Sequence, residues 1–321
     1  MRIAVIGAGA VGGYFGGCLA RAGERVVFVA RGATLAALRS RGLRVESPLG
    51  DFELAITATD DCGGIGAVDL VLVGVKAWQV PAAAEAIRPM VGEGTAVLPL
   101  QNGVEARSQL AAVLGRRPVL DGLCKIICRV EEPGHVVHVG ATPTIELGEA
   151  DNSRSHRVEE IRDVLAGAGI EARVSQDIRA AVWGKFQFLA SVSGVGAVTR
   201  SPIGVLREIP ETRAMLEEAM AEIKAVAGTL GVALPADSGA KALGFIDSLP
   251  PEGTASMQRD VMEGRPSELE FLSGAVVRLG RRAGVATPVH GFLYASLLPM
   301  ERKAREAAGA DGLAENPTRS A

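Results

Sequence analysis

The first half of the chain alternates short apolar runs with longer segments that mix apolar and polar positions. Four runs of almost continuous Val, Ile, Leu and Ala are typical of strands buried on both faces of a parallel sheet. These predicted strands cover residues 3–6, 26–29, 68–73 and 96–100. The predicted helices between them cover residues 13–22, 34–41 and 81–90. The alternation predicts an α/β domain with a doubly wound sheet, covered by helices on both faces.

The pattern changes after residue 118. Residues 119–130 and 136–147 are strand-like, and the turn signal Pro133-Gly134 lies between them, which predicts an antiparallel pair added to the sheet. A helix over 157–168 and a strand over 171–174 complete a first domain, residues 1–176. The remaining pattern predicts helices over 178–198, 211–230, 240–249, 267–283 and 288–308. We therefore expect an all-helical second domain, residues 177–308, and a flexible tail, residues 309–321.

Composition narrows the classes of protein that this chain can represent. The 321 residues are 48% hydrophobic and 22% charged, with a net charge of −3 and no long block of like charge. This balance argues against nucleic acid or a membrane surface as a partner. No apolar run reaches the roughly 18 residues of a membrane span, and Met1 leads directly into the first strand, so we expect a cytoplasmic protein.

Cysteine usage agrees with a reducing compartment. The chain has four cysteines and no CxxC pair, so neither a disulfide framework nor a metal site is predicted. We interpret Cys124 and Cys128, in a strand-like run, as small packed residues.

A complete G-x-G-x-x-G pattern follows the first predicted strand and opens the first predicted helix. It consists of Gly7, Ala8, Gly9, Ala10, Val11 and Gly12. In this context the glycines permit a tight turn, backbone approach to a pyrophosphate and close packing of helix on strand. The phosphates then meet the free N–H groups at the helix N-terminus. The pattern predicts a dinucleotide site.

The end of the second strand favours NADPH over NADH. An NAD site places Asp or Glu there, about 20 residues after the glycines, to bond the ribose 2′-hydroxyl. This chain has Arg31 and no carboxylate, and a guanidinium matches a 2′-phosphate in charge and geometry. Arg31 could also be a solvated loop residue, but the missing carboxylate would still disfavour NAD.

A hydride transferred to a carbonyl leaves an alkoxide, which needs a proton donor. Lys185 is the candidate, because it is the lone charge in residues 180–198, and the alternative is a lysine that reaches the surface. Lys76 and Asn102 follow two predicted strands, at the sheet edge where ligands bind in this fold class. Asn102 has the equal alternative of capping the next helix. The four histidines are predicted to be structural or exposed.

Taken together, these motifs resemble the ketopantoate reductase (2-dehydropantoate 2-reductase) family, over nearly the whole chain to about Ala304. The resemblance rests on several short motifs besides Gly7–Gly12 and Arg31. They are Lys76-Ala77-Trp78-Gln79-Val80, Gln101-Asn102-Gly103, Pro133-Gly134, Leu147-Gly148-Glu149, Trp183-Gly184-Lys185, Ser256-Met257-Gln258-Arg259-Asp260 and Gly264-Arg265-Pro266-Ser267-Glu268.

The resemblance implies an NADPH-dependent reductase of a 2-oxo acid, with 2-dehydropantoate in pantothenate biosynthesis as the leading substrate. It implies that Lys185 is the general acid and that Glu268 orients this lysine and can bond the cofactor. It also implies that Ser256 helps to hold the substrate carboxylate and that Asn102 contacts the nicotinamide side. Arg31 would hold the 2′-phosphate, and Lys76 belongs to the same cofactor-binding set.

The substrate end departs from the family pattern. Leu189 and Ser193 stand where the family has asparagines that bond the substrate, and Ile203 and Gly253 replace two further asparagines. A site with fewer hydrogen-bonding groups discriminates less strongly, so a different, more apolar 2-oxo acid is the alternative substrate.

Two other hypotheses differ in class. A β-hydroxyacid dehydrogenase would carry an asparagine shortly after the lysine, and residues 186–189 contain none. An NADPH-binding sensor would need no proton donor, so Lys185 and Glu268 argue against it. The sequence leaves open whether the chain forms a homodimer.

Overall fold

The computed structural model describes residues 1–309 of the chain. Contacts divide the chain into two compact units, Met1–Val182 and Trp183–Ala321. Beyond Gly309, the predicted flexible tail lies outside the described residues.

The first unit consists of strands and helices in mixed order. Its strands are β1 (Arg2–Ile6), β2 (Arg25–Val29), β3 (Leu43–Glu46), β4 (Phe52–Leu54), β5 (Thr57–Thr59), β6 (Leu70–Val73), β7 (Ala96–Pro99), β8 (Asp121–Glu132), β9 (His135–Gly148) and β10 (Glu171–Val174). Its helices are α1 (Ala10–Arg21), α2 (Gly32–Arg41), α3 (Val80–Ile87), α4 (Ala106–Leu114) and α5 (His156–Gly167). Single 3-10 turns cover Ala77–Gln79 and Arg88–Met90.

A five-stranded sheet forms the centre of the first unit, in the order β5-β2-β1-β6-β7. All of its strand pairs are parallel. The chain leaves β1 toward β2 on one side and later returns to β6 on the other side. The strand order therefore reverses at β1, which is where ligands bind in open α/β sheets.

Strand β1 shows why this sheet is covered on both faces. Successive side chains of a strand point to opposite faces. Ile3 and Val5 belong to one buried cluster, which includes side chains of α1 and α5. Ala4 and Ile6 belong to a second cluster, which includes side chains of α3. The predicted doubly wound α/β arrangement is confirmed.

A second sheet has the order β10-β9-β3-β4, with β8 paired antiparallel to β9. The predicted antiparallel pair is therefore confirmed, but its expected place in the first sheet is wrong. Only Val119, just before β8, bridges to Val97 of β7. The four residues of β7 offer a short edge to strands of 12 and 14 residues, and β9 pairs along its other edge with β3 and β10.

The sequence pattern did not predict β3, β4 and β5. Each is three or four residues long, and β3 reads Leu43-Arg44-Val45-Glu46, with only Leu43 and Val45 fully buried. Such short segments carry too little alternation to stand out. Their conformation depends on neighbours that are distant in sequence, because β3 pairs with β9 and β5 pairs with β2.

The second unit is helical. Its helices are α6 (Ile178–Thr199), which begins in the first unit, α7 (Ile203–Glu208), α8 (Pro210–Thr229), α9 (Ser238–Ser248), α10 (Ser256–Met262), α11 (Ser273–Ala283) and α12 (Pro288–Ala307). Between Trp183 and Gly309 the chain forms no strand, so the prediction of a helical C-terminal part is confirmed. Its core includes Val195, Leu206, Leu216, Ile246 and Leu293.

The short helices α7 and α10 were not predicted, and the predicted helix over 267–283 is wrong over residues 267–272. That segment contains a 3-10 turn, Leu269–Phe271, and α11 begins only at Ser273. Among residues 1–309, no helix has both the length and the apolar character needed to cross a bilayer.

Candidate functional site

The turn between β1 and α1 requires glycine at two of its positions. Gly7 has φ +89°, and a Cβ there would lie 3.0 Å from the backbone nitrogen of Val75. A Cβ on Gly12 would lie 2.0 Å from the carbonyl oxygen of Gly7. The strand, the turn and the helix are therefore packed too closely for any side chain, as the sequence pattern predicts.

Gly74 is a third close-packed glycine near this turn, and it was not predicted from the sequence pattern. It follows β6, its N–H donates to the carbonyl oxygen of Ile6 at 2.8 Å, and a Cβ there would lie 2.9 Å from the Cα of Gly12. The end of β6 thus contacts the start of α1. A glycine directly after a predicted parallel strand was the signal that could have identified it.

Gly9 faces open space instead. A Cβ on Gly9 would have no atom within 4 Å, and Gly9 is the N-cap residue of α1 with no side chain capping the helix. The first N–H groups of α1 therefore lack a side-chain acceptor, and a helix N-terminus attracts anions. This arrangement fits the phosphates of a dinucleotide.

Arg31 lies immediately after β2 and precedes α2 as its N-cap residue. Its side chain is exposed and, within residues 1–309, makes no hydrogen bond or ion pair. Burial raises the pKa of the Cys62 thiol, and the positive charge of Arg31 acts in the opposite direction. An exposed guanidinium at this sheet edge fits a 2′-phosphate.

Lys76 and Asn102 follow β6 and β7, which are adjacent in the sheet. Lys76 is exposed, and its Nζ lies 5.8 Å from the centre of the Trp78 ring. Helix α4 begins at Ala106 with Glu105 as its N-cap residue, so the alternative of Asn102 as a helix cap is wrong. The structure therefore brings the predicted nucleotide-binding residues of the first unit to the carboxyl ends of neighbouring strands.

Gln101 belongs to the same edge and was not predicted as a site residue. Its Nε2 donates to the carbonyl oxygens of Val73 and Val75 at 2.8 and 2.9 Å. Because these carbonyls lie at and just beyond the end of β6, Gln101 joins the ends of β6 and β7. Its Oε1 is buried without a hydrogen-bond partner among the described residues.

In the second unit, Lys185, Leu189 and Ser193 share one face of α6, since they are four residues apart. Lys185 is half-buried beside the edge-to-face pair of Trp183 and Phe186, whose ring centres are 5.6 Å apart. Ser193 is fully buried, and its Oγ has no partner within the described part of the chain. Along this face, the half-buried charge of Lys185 is followed by the half-buried apolar side chain of Leu189 and then by the fully buried hydroxyl of Ser193.

Glu268 lies at a break in the helical structure, not within a helix. It is 6% exposed and is the N-cap residue of the 3-10 turn Leu269–Phe271. The Oγ of Ser267 accepts the N–H of Leu269 at 3.3 Å, and such side-chain bonds compete with a regular helix. The predicted continuous helix is wrong for this reason.

The residues of the motif around Ser256 differ in what they contact. Ser256 is the first residue of α10, and Ala255 is the N-cap residue. Asp260 accepts bonds from Nε and Nη2 of Arg265 at 3.0 and 2.8 Å, which closes the turn after α10. Ser256 remains a site candidate, whereas Asp260 and Arg265 have a structural function.

The two remaining departures from the family pattern are in contact. The N–H of Ile203 donates to the carbonyl oxygen of Gly253 at 2.9 Å, and a Cβ on Gly253 would lie 3.3 Å from Cδ1 of Ile203. Ile203 is 5% exposed. The positions at which the family places two asparagines are thus joined by a backbone hydrogen bond in this protein, and neither carries a polar side chain.

The histidines and cysteines are placed as packed or exposed residues and not as a reactive cluster. Burial lowers the pKa of His290 to about 4, and His138 is buried against Ser47. His156 is exposed. Burial raises the pKa of Cys128 to about 12. Over residues 1–309, no group of acidic, histidine or cysteine side chains is arranged to hold a metal ion.

Comparisons with known proteins agree with this geometry. A family model described as Ketopantoate reductase PanE/ApbA matches residues 3–152, and its C-terminal counterpart matches residues 177–301. The 2-dehydropantoate 2-reductase of Mesorhizobium japonicum is 32% identical over 311 residues, covering 90% of this chain and 94% of the relative.

Solved structures are similar over the same extent. A 2-dehydropantoate 2-reductase from Geobacter metallireducens has 34% identity and a TM-score of 0.86, covering 93% of this chain and 99% of the other. A PanE/ApbA family ketopantoate reductase from Ralstonia eutropha has 33% identity and the same TM-score of 0.86, covering 95% and 100%.

A parallel sheet with a glycine turn at its switch point, followed by a helical unit in which Lys185 lies on an otherwise uncharged stretch of α6, is typical of pyridine-nucleotide-dependent oxidoreductases. The chain belongs to the ketopantoate reductase family. It is therefore an enzyme of the oxidoreductase class.

Proposed function

We propose that this enzyme uses NADPH to reduce a 2-oxo acid to a 2-hydroxy acid, with 2-dehydropantoate as the leading substrate and pantoate as its product. The observation that carries the proposal is Lys185, the one charged side chain on α6 between Arg179 and Arg200. An ammonium on an otherwise uncharged stretch of helix is a suitable proton donor for the oxygen of a reduced carbonyl.

The choice of NADPH rests on the first unit. Gly9 leaves room for a pyrophosphate at the uncapped N-terminus of α1, and Arg31 presents an exposed guanidinium after β2. No carboxylate stands at the end of β2 to bond a ribose 2′-hydroxyl. Lys76 and Asn102, at the ends of β6 and β7, complete the set of residues that would hold the nucleotide.

The chemistry divides among the residues of the second unit. When bound, NADPH would supply the hydride that reduces the carbonyl carbon of the 2-oxo acid. The Lys185 ammonium polarises the carbonyl oxygen and then donates a proton to it, which completes the hydroxyl group. Glu268 orients Lys185, and Ser256 donates a hydrogen bond to the substrate carboxylate.

A second substrate candidate is a more apolar 2-oxo acid. Leu189 and Ser193 lie on the same face of α6 as Lys185, and Ile203 contacts Gly253. All four family asparagine positions therefore lack an amide. Each CH₂ group of the substrate that is buried against a hydrophobic surface contributes about 0.8 kcal/mol to the free energy of binding. Such a surface therefore favours an acid with a larger apolar side chain.

The test mixes the purified enzyme with NADPH and a panel of 2-oxo acids, and follows the absorbance of the reduced nucleotide. The panel contains 2-dehydropantoate, a straight-chain aliphatic acid, a branched aliphatic acid and an aromatic acid. The highest kcat/KM with 2-dehydropantoate supports the leading substrate. Preference for another acid moves the assignment to the second candidate, and no oxidation with any acid refutes the reductase proposal.

The state of the cysteines supports an assignment of the cellular compartment. All four cysteines, Cys18, Cys62, Cys124 and Cys128, are free thiols, and the cytoplasm keeps thiols reduced. We therefore assign the reaction to the cytoplasm.

A further inference from the structure

A buried ion pair on the last helix contacts the residue that precedes Glu268. On α12, Nε of Arg305 lies 2.6 Å from Oε1 of Glu301, and the two side chains are 6% and 4% exposed. Glu301 accepts the N–H of Ser267 at 3.0 Å and its hydroxyl at 2.5 Å. Nη2 of Arg305 donates to the carbonyl oxygen of Ser267 at 2.9 Å. All three polar groups of Ser267 are thus bonded to this one pair.

Stability alone explains this arrangement poorly. Removing two charges from water is costly, and a buried ion pair is often no more stabilising than apolar residues of the same size. What a buried pair provides is a fixed geometry, because each charge must keep its partners. Here those partners are the backbone and side chain of a single residue, next to Glu268.

The segment is also held after Glu268. The hydroxyl of Tyr294, on α12, donates to Oε2 of Glu270 at 2.7 Å. Nη1 of Arg278, on α11, donates to the carbonyl oxygen of Glu270 at 3.0 Å and also contacts its carboxylate. The backbone on both sides of Glu268 is therefore fixed by side chains from α11 and α12.

We propose that Glu301 and Arg305 are positioning residues, which act through Ser267 to hold the Glu268 carboxylate in its working orientation. This inference rests on the proposed function, in which Glu268 orients Lys185. A displacement of about 1 Å at a reacting group can reduce turnover about 100-fold, so a rigid support for Glu268 has a direct kinetic value.

The test is a double-mutant cycle between Glu268→Gln and Glu301→Gln, with kcat and KM measured below the thermal transition of every variant. We expect Glu301→Gln to lower kcat about 10-fold or more, with a smaller change in the KM of the 2-oxo acid. In the double variant, kcat should equal that of Glu268→Gln alone, because Glu301 acts only through Glu268. Ser267→Ala, which keeps the ion pair and removes one bond, provides a second variant if Glu301→Gln does not fold.

Glu222→Gln is the matched control. Glu222 is also a buried carboxylate that accepts two backbone N–H groups, those of Val289 and His290, at the other end of α12. It should lower the melting temperature yet leave kcat unchanged. The inference is overturned if the effects of Glu268→Gln and Glu301→Gln multiply, or if Glu222→Gln lowers kcat as much. An inactive wild-type enzyme refutes the proposed function, and this inference with it.

Discussion

Gly9 and Gly12 lie in the same turn but have opposite surroundings. A Cβ on Gly12 would collide with the backbone of Gly7, whereas a Cβ on Gly9 would meet nothing within 4 Å. Gly12 is therefore glycine because the fold requires it. Gly9 has no such reason within the protein, which leaves the approach of a ligand as the reason for glycine at this position.

These surroundings predict different outcomes for Gly9→Ala and Gly12→Ala. Gly9→Ala should shift the melting temperature by only a few degrees, because its φ of −81° suits alanine. It should weaken NADPH binding about 10-fold or more, since the methyl group occupies the place of the pyrophosphate. Gly12→Ala should lose stability as well. Thermal melts and fluorescence titration with NADPH measure both effects, and unchanged NADPH affinity in Gly9→Ala would contradict the assigned turn.

At the residue scale, the sequence pointed most directly to those site residues whose type is unusual for their position. Gly7 to Gly12 form a recognised pattern, Arg31 stands where a carboxylate is expected, and Lys185 is the lone charge in residues 180–198. Gln101 could not be found in this way, because its bonds to Val73 and Val75 depend on the pairing of β6 with β7.

At the scale of elements, the N-terminus of α12 depends on a buried carboxylate and a buried histidine. Glu222 of α8 accepts the N–H groups of Val289 and His290 at 2.6 and 3.0 Å. Nε2 of His290 lies 3.2 Å from the carbonyl oxygen of Ala219, also on α8. Helices α8 and α12 are thus joined by polar bonds inside an apolar region, where a charged imidazolium is unfavourable.

This contact predicts that acid destabilises the protein through His290. Burial lowers its pKa from 6.5 to about 4, so its stabilising contribution is complete above pH 6.5 and is lost as the pH falls toward 4. Between pH 7.5 and 5.0 the free energy of unfolding should fall by about 2 kcal/mol from this group. Urea denaturation should show this decrease in the wild type and not in His290→Gln.

His156→Gln is the control for this measurement, because the side chain of His156 is 93% exposed. Burial raises the pKa of Glu222, which gives a pH dependence of opposite sign, but Glu222 is present in each protein being compared. The difference between the wild type and His290→Gln therefore isolates His290. Equal pH dependence in these two proteins would contradict the assignment.

Elements in which a regular apolar pattern extends over many residues were predictable. Elements whose conformation depends on partners distant in sequence were not. Helix α6, with 22 residues, was predicted to within one residue at its end. The break before α11 was missed because it depends on bonds between Ser267 and Glu301, which lie 34 residues apart. This break also decides the position of Glu268, so the sequence pattern alone misplaced that residue on a helix.

At the scale of the whole molecule, nucleotide-binding and chemical candidates belong to different units. The glycine turn, Arg31, Lys76 and Asn102 lie in Met1–Val182, and Lys185, Ser256 and Glu268 lie in the unit that begins at Trp183. The change in hydrophobic period along the chain was sufficient to predict an α/β part and, after it, a helical part. The substrate could not be predicted in this way, because none of the four residues that replace the family asparagines carries an amide to fix a hydrogen-bonding pattern.

This separation predicts that binding and chemistry can be disrupted independently. Lys185→Met should lower kcat about 100- to 10,000-fold, the usual contribution of a general acid, while the Kd of NADPH changes less than about twofold.

Arg31→Ala should raise the KM of NADPH about 10-fold and leave that of NADH unchanged, because the guanidinium contacts only the 2′-phosphate. Steady-state assays with both nucleotides and fluorescence titration measure these quantities. Full turnover in Lys185→Met would refute the assigned proton donor, and equal loss with NADH in Arg31→Ala would refute the assigned phosphate contact.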